Sequence, residues 1–179
     1  MRRAVFIGRF QPFHLGHLHA IKEILESYDE LIIVIGSAQY SHTVTNPFTT
    51  GERVEMIRRG LRSSGIDLAK IIIIPLPDIG EHALWVSRLT SFLPPFDAVF
   101  TNNKFVQLLL AERGLKYSEP KLADRETLNA TYIRSLMIKG ERWREFLQKD
   151  VADYIDSIDG ARRLRIIAES DAKSERSPG

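Results

Sequence analysis

The sequence predicts an α/β fold, an open doubly wound parallel sheet followed by a helical C-terminal subdomain. Two observations carry this. Four short runs, "AVFIG" (4–8), "LIIVIG" (31–36), "KIIIIP" (70–75) and "DAVFT" (97–101), are apolar throughout instead of alternating with polar residues. Continuous apolar character suits strands that are covered on both faces, as in parallel sheets. Segments with helical spacing fall between the runs, and a strand–helix–strand order implies right-handed crossovers and a Rossmann-like arrangement.

The elements follow in chain order. Leu18, Ile21, Ile24, Leu25 and Tyr28 recur at helical spacing after the first strand. Val54, Ile57 and Leu61 do so after the second, behind a capping box in which Thr49 and Glu52 would satisfy each other's backbone N–H groups. Leu84, Trp85, Leu89 and Phe92 mark a third helix, and Phe105, Leu108 and Leu109 a fourth. From about residue 120 the pattern changes: "KLADRETLNA" reads as a polar loop, and "TYIRSLMIKG" as a short helix with Ile133, Leu136 and Met137 inward and Gly140 at its end. A further helix carries Val151, Tyr154, Ile155 and Ile158 and is stopped by Asp159–Gly160. The polar stretch "ESDAKSERSPG" (169–179) is expected to be disordered. The expected organisation is one domain over 1–168, helical from about 130, without internal repeats.

Composition narrows the function. A chain of 179 residues can bury about 70% of its unfolded surface in one core. The net charge of +2 argues against a protein that coats nucleic acid, which would show a concentrated basic face. With no cysteine, disulfides and thiolate-held zinc or iron–sulfur centres are excluded. The apolar run in "MRRAVFIGRF" is too short for a signal peptide, and no stretch approaches the ~18 apolar residues of a membrane span, so a cytoplasmic protein is expected.

The chemistry concentrates in "GRFQPFHLGHLHAI" (8–21), where a strand hands over to a helix. For a helix that begins near residue 14 and turns about 100° per residue, His14 and His17 project on the side of Leu18, Ile21 and Leu25, while His19 points away. That side lies above the carboxyl ends of the strands, where open α/β sheets bind ligands. The helix start offers free N–H groups and partial positive charge, Gly16 leaves its backbone approachable, and Arg9 adds a fixed cation. Two readings stay open at this level: histidines satisfied inside the fold, or a phosphate cradle, which gains from Gly8, Arg9 and Gly16 arriving together. A zinc site from His14, His17 and His19 is disfavoured by the direction of His19 and the lack of a carboxylate. Neither a Walker A lysine nor G-x-G-x-x-G is present.

His14-Leu15-Gly16-His17 matches the H-x-G-H signature of the nucleotidyltransferase superfamily, and "GRFQPFHLGHL" resembles its archaeal nicotinamide-nucleotide adenylyltransferase branch. "IGSAQYSHTVTNPFTTGERVEMI" (35–57), "PDIGEHALWVSRLTSFLPPFDAVFTNN" (77–103) and "ATYIRSLM" (130–137) follow in the order of that family, so the resemblance spans about residues 3–168. It implies synthesis of NAD from ATP and nicotinamide mononucleotide with release of pyrophosphate. It implies catalytic roles for His14, His17, Arg9 and Arg134, with protonation strengthening both histidines, and ATP contacts from Gly8, Phe10, Gly16, Asn129 and Thr131 as well. Ser37, Gln39, His82 and Trp85 are the mononucleotide candidates, with Trp85 stacked on the pyridine ring. Magnesium would enter with ATP, keeping mostly water, without a protein carboxylate cage. A homo-oligomer, often a hexamer, is implied, with no nucleic-acid or membrane partner.

Plainer roles stand beside these. Asn129 or Thr131 could cap a helix, Arg134 could be a surface charge, Trp85 could be core, and Arg53 could pair with a carboxylate as easily as with phosphate; Ser41 and His42 could line the cleft or satisfy a loop. The chain departs from the family's pattern twice. Asn129-Ala130-Thr131 stands where archaeal relatives read Ser-Gly-Thr, so alanine replaces a glycine free to adopt positive φ, and His82 stands where they read asparagine. Other activities compatible with the motifs are a sister transferase for nicotinate mononucleotide or phosphopantetheine, and a non-catalytic nucleotide sensor.

Overall fold

A computed structural model of the chain describes residues 1–120 and 128–174. Five parallel strands, β1 (Arg3–Gly8), β2 (Glu30–Ile35), β3 (Ile71–Pro75), β4 (Ala98–Phe100) and β5 (Tyr117–Ser118), form one sheet in the order β3-β2-β1-β4-β5. Helices α1 (Leu15–Ser27), α2 (Thr50–Ser63), α3 (Trp85–Phe92) and α4 (Lys104–Glu112) alternate with the strands, and α5 (Ala130–Lys139), α6 (Lys149–Ser157) and α7 (Gly160–Ser174) follow them. The fold is a Rossmann-like α/β sheet.

The apolar runs are continuous because each strand feeds two cores. Ala4 and Phe6 of β1, with Leu31, Ile33 and Ile35 of β2, face a core completed by α1, α2, α5, α6 and α7. Their neighbours Val5, Ile7, Ile32 and Val34 face a second core, closed by Trp85, Val86 and Leu89 of α3 and Val106, Leu109 and Leu110 of α4. The period-two alternation of a strand thus sends successive apolar residues into opposite apolar layers. Leu84, Phe92, Phe105 and Leu108, which mark the third and fourth helices in the sequence, are about half exposed instead.

Two elements were not foreseen and one expectation needs correction. β5 is only two residues long, exposed and without an apolar run, so nothing in the sequence announces it; it pairs Tyr117 and Ser118 with Val99 and Phe100. Asp159–Gly160 stops α6 as expected, but a further helix that the sequence did not announce begins at once. Asp159 adopts a left-handed φ of 52° and turns α6 directly into α7. The segment 169–179 was expected to be disordered, but α7 runs on to Ser174; residues 175–179 lie outside the described part, as do 121–127 of the expected polar loop. α7 docks through Leu164, fully buried in the first core, and through Arg163, which donates to both carboxylate oxygens of Glu52 at 2.9 and 2.8 Å. No helix among the described residues is long and apolar enough to cross a membrane.

The strand order sets the position of the site. The chain moves outward from β1 to β2 and β3, then returns to place β4 on the other side of β1. This is a topological switch point, where the loops leaving two neighbouring strands diverge and open a crevice beyond their carboxyl ends.

Candidate active site

That crevice is a cavity of about 670 Å³. Gly8 and Arg9 reach it at the end of β1, Gly36 and Ser37 after β2, Asp78 to Gly80 with His82 and Trp85 after β3, Thr101 to Asn103 after β4, and Leu128 to Thr131 with Arg134 at the start of α5.

The turn out of β1 is built from the inside. Phe10 is buried in a left-handed conformation (φ 53°), and its ring folds back so closely that a Cβ at Gly8 would lie 2.9 Å from it. Gln11 is buried and fastens this loop to the next, donating to Phe48 O and accepting from Phe48 N–H, both at 2.9 Å. His14 is the N-cap of α1, and its N–H donates to His17 Nδ1 at 3.3 Å. Nδ1 of His17 is therefore an acceptor, which leaves Nε2 as its donor.

The two imidazoles lie against each other, centroids 3.7 Å apart and planes tilted by 30°, and the rings of Phe6, Phe10 and Phe13 surround His17. Burial lowers the His14 pKa to about 3, and burial together with the neighbouring His14 holds His17 well below its ordinary value. Burial thus favours the neutral form of both rings at neutral pH. His19 is exposed. Gly16 also differs from expectation. It does not line the cavity; a Cβ there would lie 3.0 Å from the His14 ring and 3.1 Å from Leu128 O, so its bareness seats His14 against the loop before α5.

Beside them, Asn129 caps α5 by accepting the Tyr132 N–H at 2.8 Å, and it lines the cavity as well. Ala130 is the first helical residue and is not in the positive-φ region, so the family's glycine is not needed at this position. Arg134 is no surface charge. It is buried, donating to Gln11 O at 2.9 Å and Thr131 Oγ1 at 3.2 Å, with its pKa lowered to about 10 by burial and by Arg9. It remains a cation at neutral pH. Two helix N-termini and two arginines thus converge on one cavity, a site for an anion.

The second loop is organised by Arg53, whose hydrogen bonds go to backbone carbonyls and a hydroxyl and whose charge is attracted to Asp78. Fully buried, its guanidinium donates to the carbonyls of Arg9, Gly36, Ser37 and Ala38 at 2.9–3.3 Å and to Thr50 Oγ1 at 3.0 Å. Thr50 in turn donates to Ala38 O. This holds Ser37 in a left-handed conformation (φ 50°) at the cavity wall. The Ser37 hydroxyl is spent on Asp78, 2.7 Å away. Gln39 is not on the cavity surface; its amide brackets the Asp78 backbone, accepting from N–H at 2.9 Å and donating to O at 3.2 Å. Ser41 and His42 bond to each other outside the lining.

Trp85 is both core and wall, 7% exposed within the second core with its remaining surface on the cavity. His82 stands edge-on to Phe105, ring centroids 5.0 Å apart. Sequence reasoning missed Gln11, Asp78, Thr101 to Asn103 and Phe105 in the lining. The cluster of asparagines after an apolar run was a usable sign of a strand-end loop; nothing local marked the others. No group of three or more His, Asp or Glu placed to hold a metal ion occurs among the described residues, and Asp78 is the only carboxylate in the described lining.

Comparison with known proteins adds three findings. A family model described as cytidylyltransferase-like matches residues 5–146. Nicotinamide-nucleotide adenylyltransferase of Caldivirga maquilingensis is 48% identical over 98% of this chain and 99% of its own, and that of Saccharolobus solfataricus 50% identical over 96% and 99%. The crystal structure of a bifunctional NMN adenylyltransferase/ADP ribose pyrophosphatase from Francisella tularensis, complexed with AMP and a Mn ion, superposes with a TM-score of 0.76 at 26% identity; it matches 99% of this chain, which spans 57% of the Francisella one.

Proposed function

The chain belongs to the cytidylyltransferase-like family, and from that premise we propose that it transfers the adenylyl group of ATP to nicotinamide mononucleotide, giving NAD and pyrophosphate. The observation that carries this is the pairing, in one cavity, of an anion-binding wall with an aromatic one. Arg9, Arg134 and the starts of α1 and α5 form the first, and Trp85, His82 and Phe105 the second.

The reaction asks for little covalent help. An oxygen of the mononucleotide phosphate bonds to the α-phosphorus of ATP, the bond from that phosphorus to the β-phosphate bridge breaks, and the electron pair leaves with pyrophosphate. The nucleophile is already anionic, so no proton has to be removed. What remains is alignment and neutralisation of developing charge. His17 Nε2–H and the His14 ring would donate to phosphate oxygens as neutral groups, which they can do without the cost of charging a buried pair of imidazoles. Arg134 would grip the departing phosphates. Its guanidinium is held on two sides by Gln11 O and Thr131 Oγ1 and so needs little reorganisation. Magnesium would arrive on the triphosphate, largely hydrated, and supply further charge neutralisation; the described lining offers it no carboxylate cage. We further propose a homo-oligomer acting in the cytoplasm, for which light scattering reports the assembly.

Pyrophosphate release on mixing the protein and ATP with each of nicotinamide mononucleotide, nicotinate mononucleotide and phosphopantetheine tests the assignment. Fastest release with a pyridine mononucleotide is expected. Binding of ATP without release in any mixture would identify a nucleotide sensor instead.

A further inference from the structure

Resting on the assignment of a pyridine mononucleotide to this cavity, we propose that Asp78 is a charge filter for the ring: it favours a cationic pyridinium bearing a neutral substituent over any ring of lower net charge. Asp78 leaves β3 on the same segment as His82 and Trp85 and is the only carboxylate among the described residues that line the cavity. Its position is fixed by hydrogen bonds to two neighbouring residues. Gln39 brackets its backbone on both sides, and Ser37 donates to its carboxylate from Oγ at 2.7 Å and from N at 3.3 Å. Ser37 is itself held by the buried Arg53.

The consequence is chemical. Ser37 and Gln39 were the polar side chains best placed to read the acceptor, yet both are spent on presenting an acid. A carboxylate has about four acceptor sites, and Ser37 uses two. The arginines of the lining, Arg9 and Arg134, belong to the phosphate wall, while Arg53 lies behind the loop with its donors on carbonyls. The pyridine end therefore presents a carboxylate at its surface, and the Arg53 cation, attracted to Asp78 from behind the loop, offsets part of its field but is not itself in the lining. Nicotinamide mononucleotide presents a pyridinium cation and an uncharged amide. Nicotinate mononucleotide adds one negative charge to that ring, and reduced nicotinamide mononucleotide removes the positive one. Both changes lower the ring charge by one, and both lose the same attraction to Asp78. For charges a few ångströms apart in a partly solvated cleft, the loss is about tenfold in specificity.

The test measures kcat/KM for the three acceptors with the wild type and Asp78→Asn at one fixed pH. In Asp78→Asn, the ratios of nicotinate to nicotinamide mononucleotide and of reduced to oxidised nicotinamide mononucleotide should both rise, each about tenfold. The KM for ATP should stay within about twofold, because ATP meets the other wall. Asp78→Glu keeps the charge and should hold both ratios near wild type even if the overall rate falls. A uniform loss for all three acceptors would make Asp78 a structural residue only. Movement of one ratio alone would mean that shape or hydrogen bonding, not charge, is being read. Should Asp78→Asn fail to fold, Asp78→Ser removes the same charge with a smaller side chain. Failure of the underlying assignment looks different: the wild type itself would form no dinucleotide from any of the three.

Discussion

His14 and His17 illustrate how burial decides what a residue can do. Their rings lie against each other with centroids 3.7 Å apart, and burial favours the neutral form of both, so their service to phosphate is donation rather than charge. His17→Ala should lower turnover roughly 10²–10³-fold, as expected for losing one transition-state donor, while ATP binding changes much less. Near-normal turnover in a folded variant would remove His17 from the chemistry. Neutral burial also leaves a signature in stability. Below pH 6.5 an unfolded chain protonates its histidines, whereas folded His14 resists until about pH 3, and His17 also stays neutral well below 6.5. The unfolded state then binds more protons, so unfolding free energy should decrease as pH falls through this window and be insensitive to these residues above it. Urea unfolding between pH 7.5 and 5 checks this; His14→Gln should flatten the slope. The lowered Glu52 carboxyl acts in the same direction, but only below its ordinary value of 4.5.

Among the elements, those with strong local signals were legible. β1 to β4 declared themselves because each is covered on two faces, and α2 because Thr49 and Glu52 form the reciprocal capping box that their spacing suggests. β5 and α7 were not. β5 is defined by its partner Val99–Phe100 and not by its own side chains, and α7 is rich in charged residues, docking through Leu164 and the Arg163–Glu52 pair. The loops after β1 and β2 are joined by Arg53, whose acceptors are backbone carbonyls brought together only by the sheet. Replacing it with methionine would fill the space but leave several carbonyls unsatisfied, at about 1–3 kcal/mol each when buried. A loss of roughly 3 kcal/mol or more in unfolding free energy is expected for Arg53→Met, with a raised KM for the mononucleotide. A variant of wild-type stability would show that the loops hold themselves.

At the scale of the molecule, the site is the place where the strand order reverses, and this determines which of its residues could be read in advance. His14, His17, Arg9 and Arg134 sit in compact local patterns at helix starts, and all four line the cavity. Gly16, Gln39 and Arg53 sit in such patterns too, but their work is to seat His14, Asp78 and the second loop, which only the packed structure reveals. Asp78 is brought beside Ser37 by the pairing of β2 with β3 and has no local motif of its own. The most direct measurement supplies ATP labelled at the α-phosphate together with nicotinamide mononucleotide and follows the label. Transfer of label into NAD, with one pyrophosphate released per NAD formed, is the expected result. Label that stays in ATP, or appears in AMP without any dinucleotide, would contradict adenylyl transfer by this cavity.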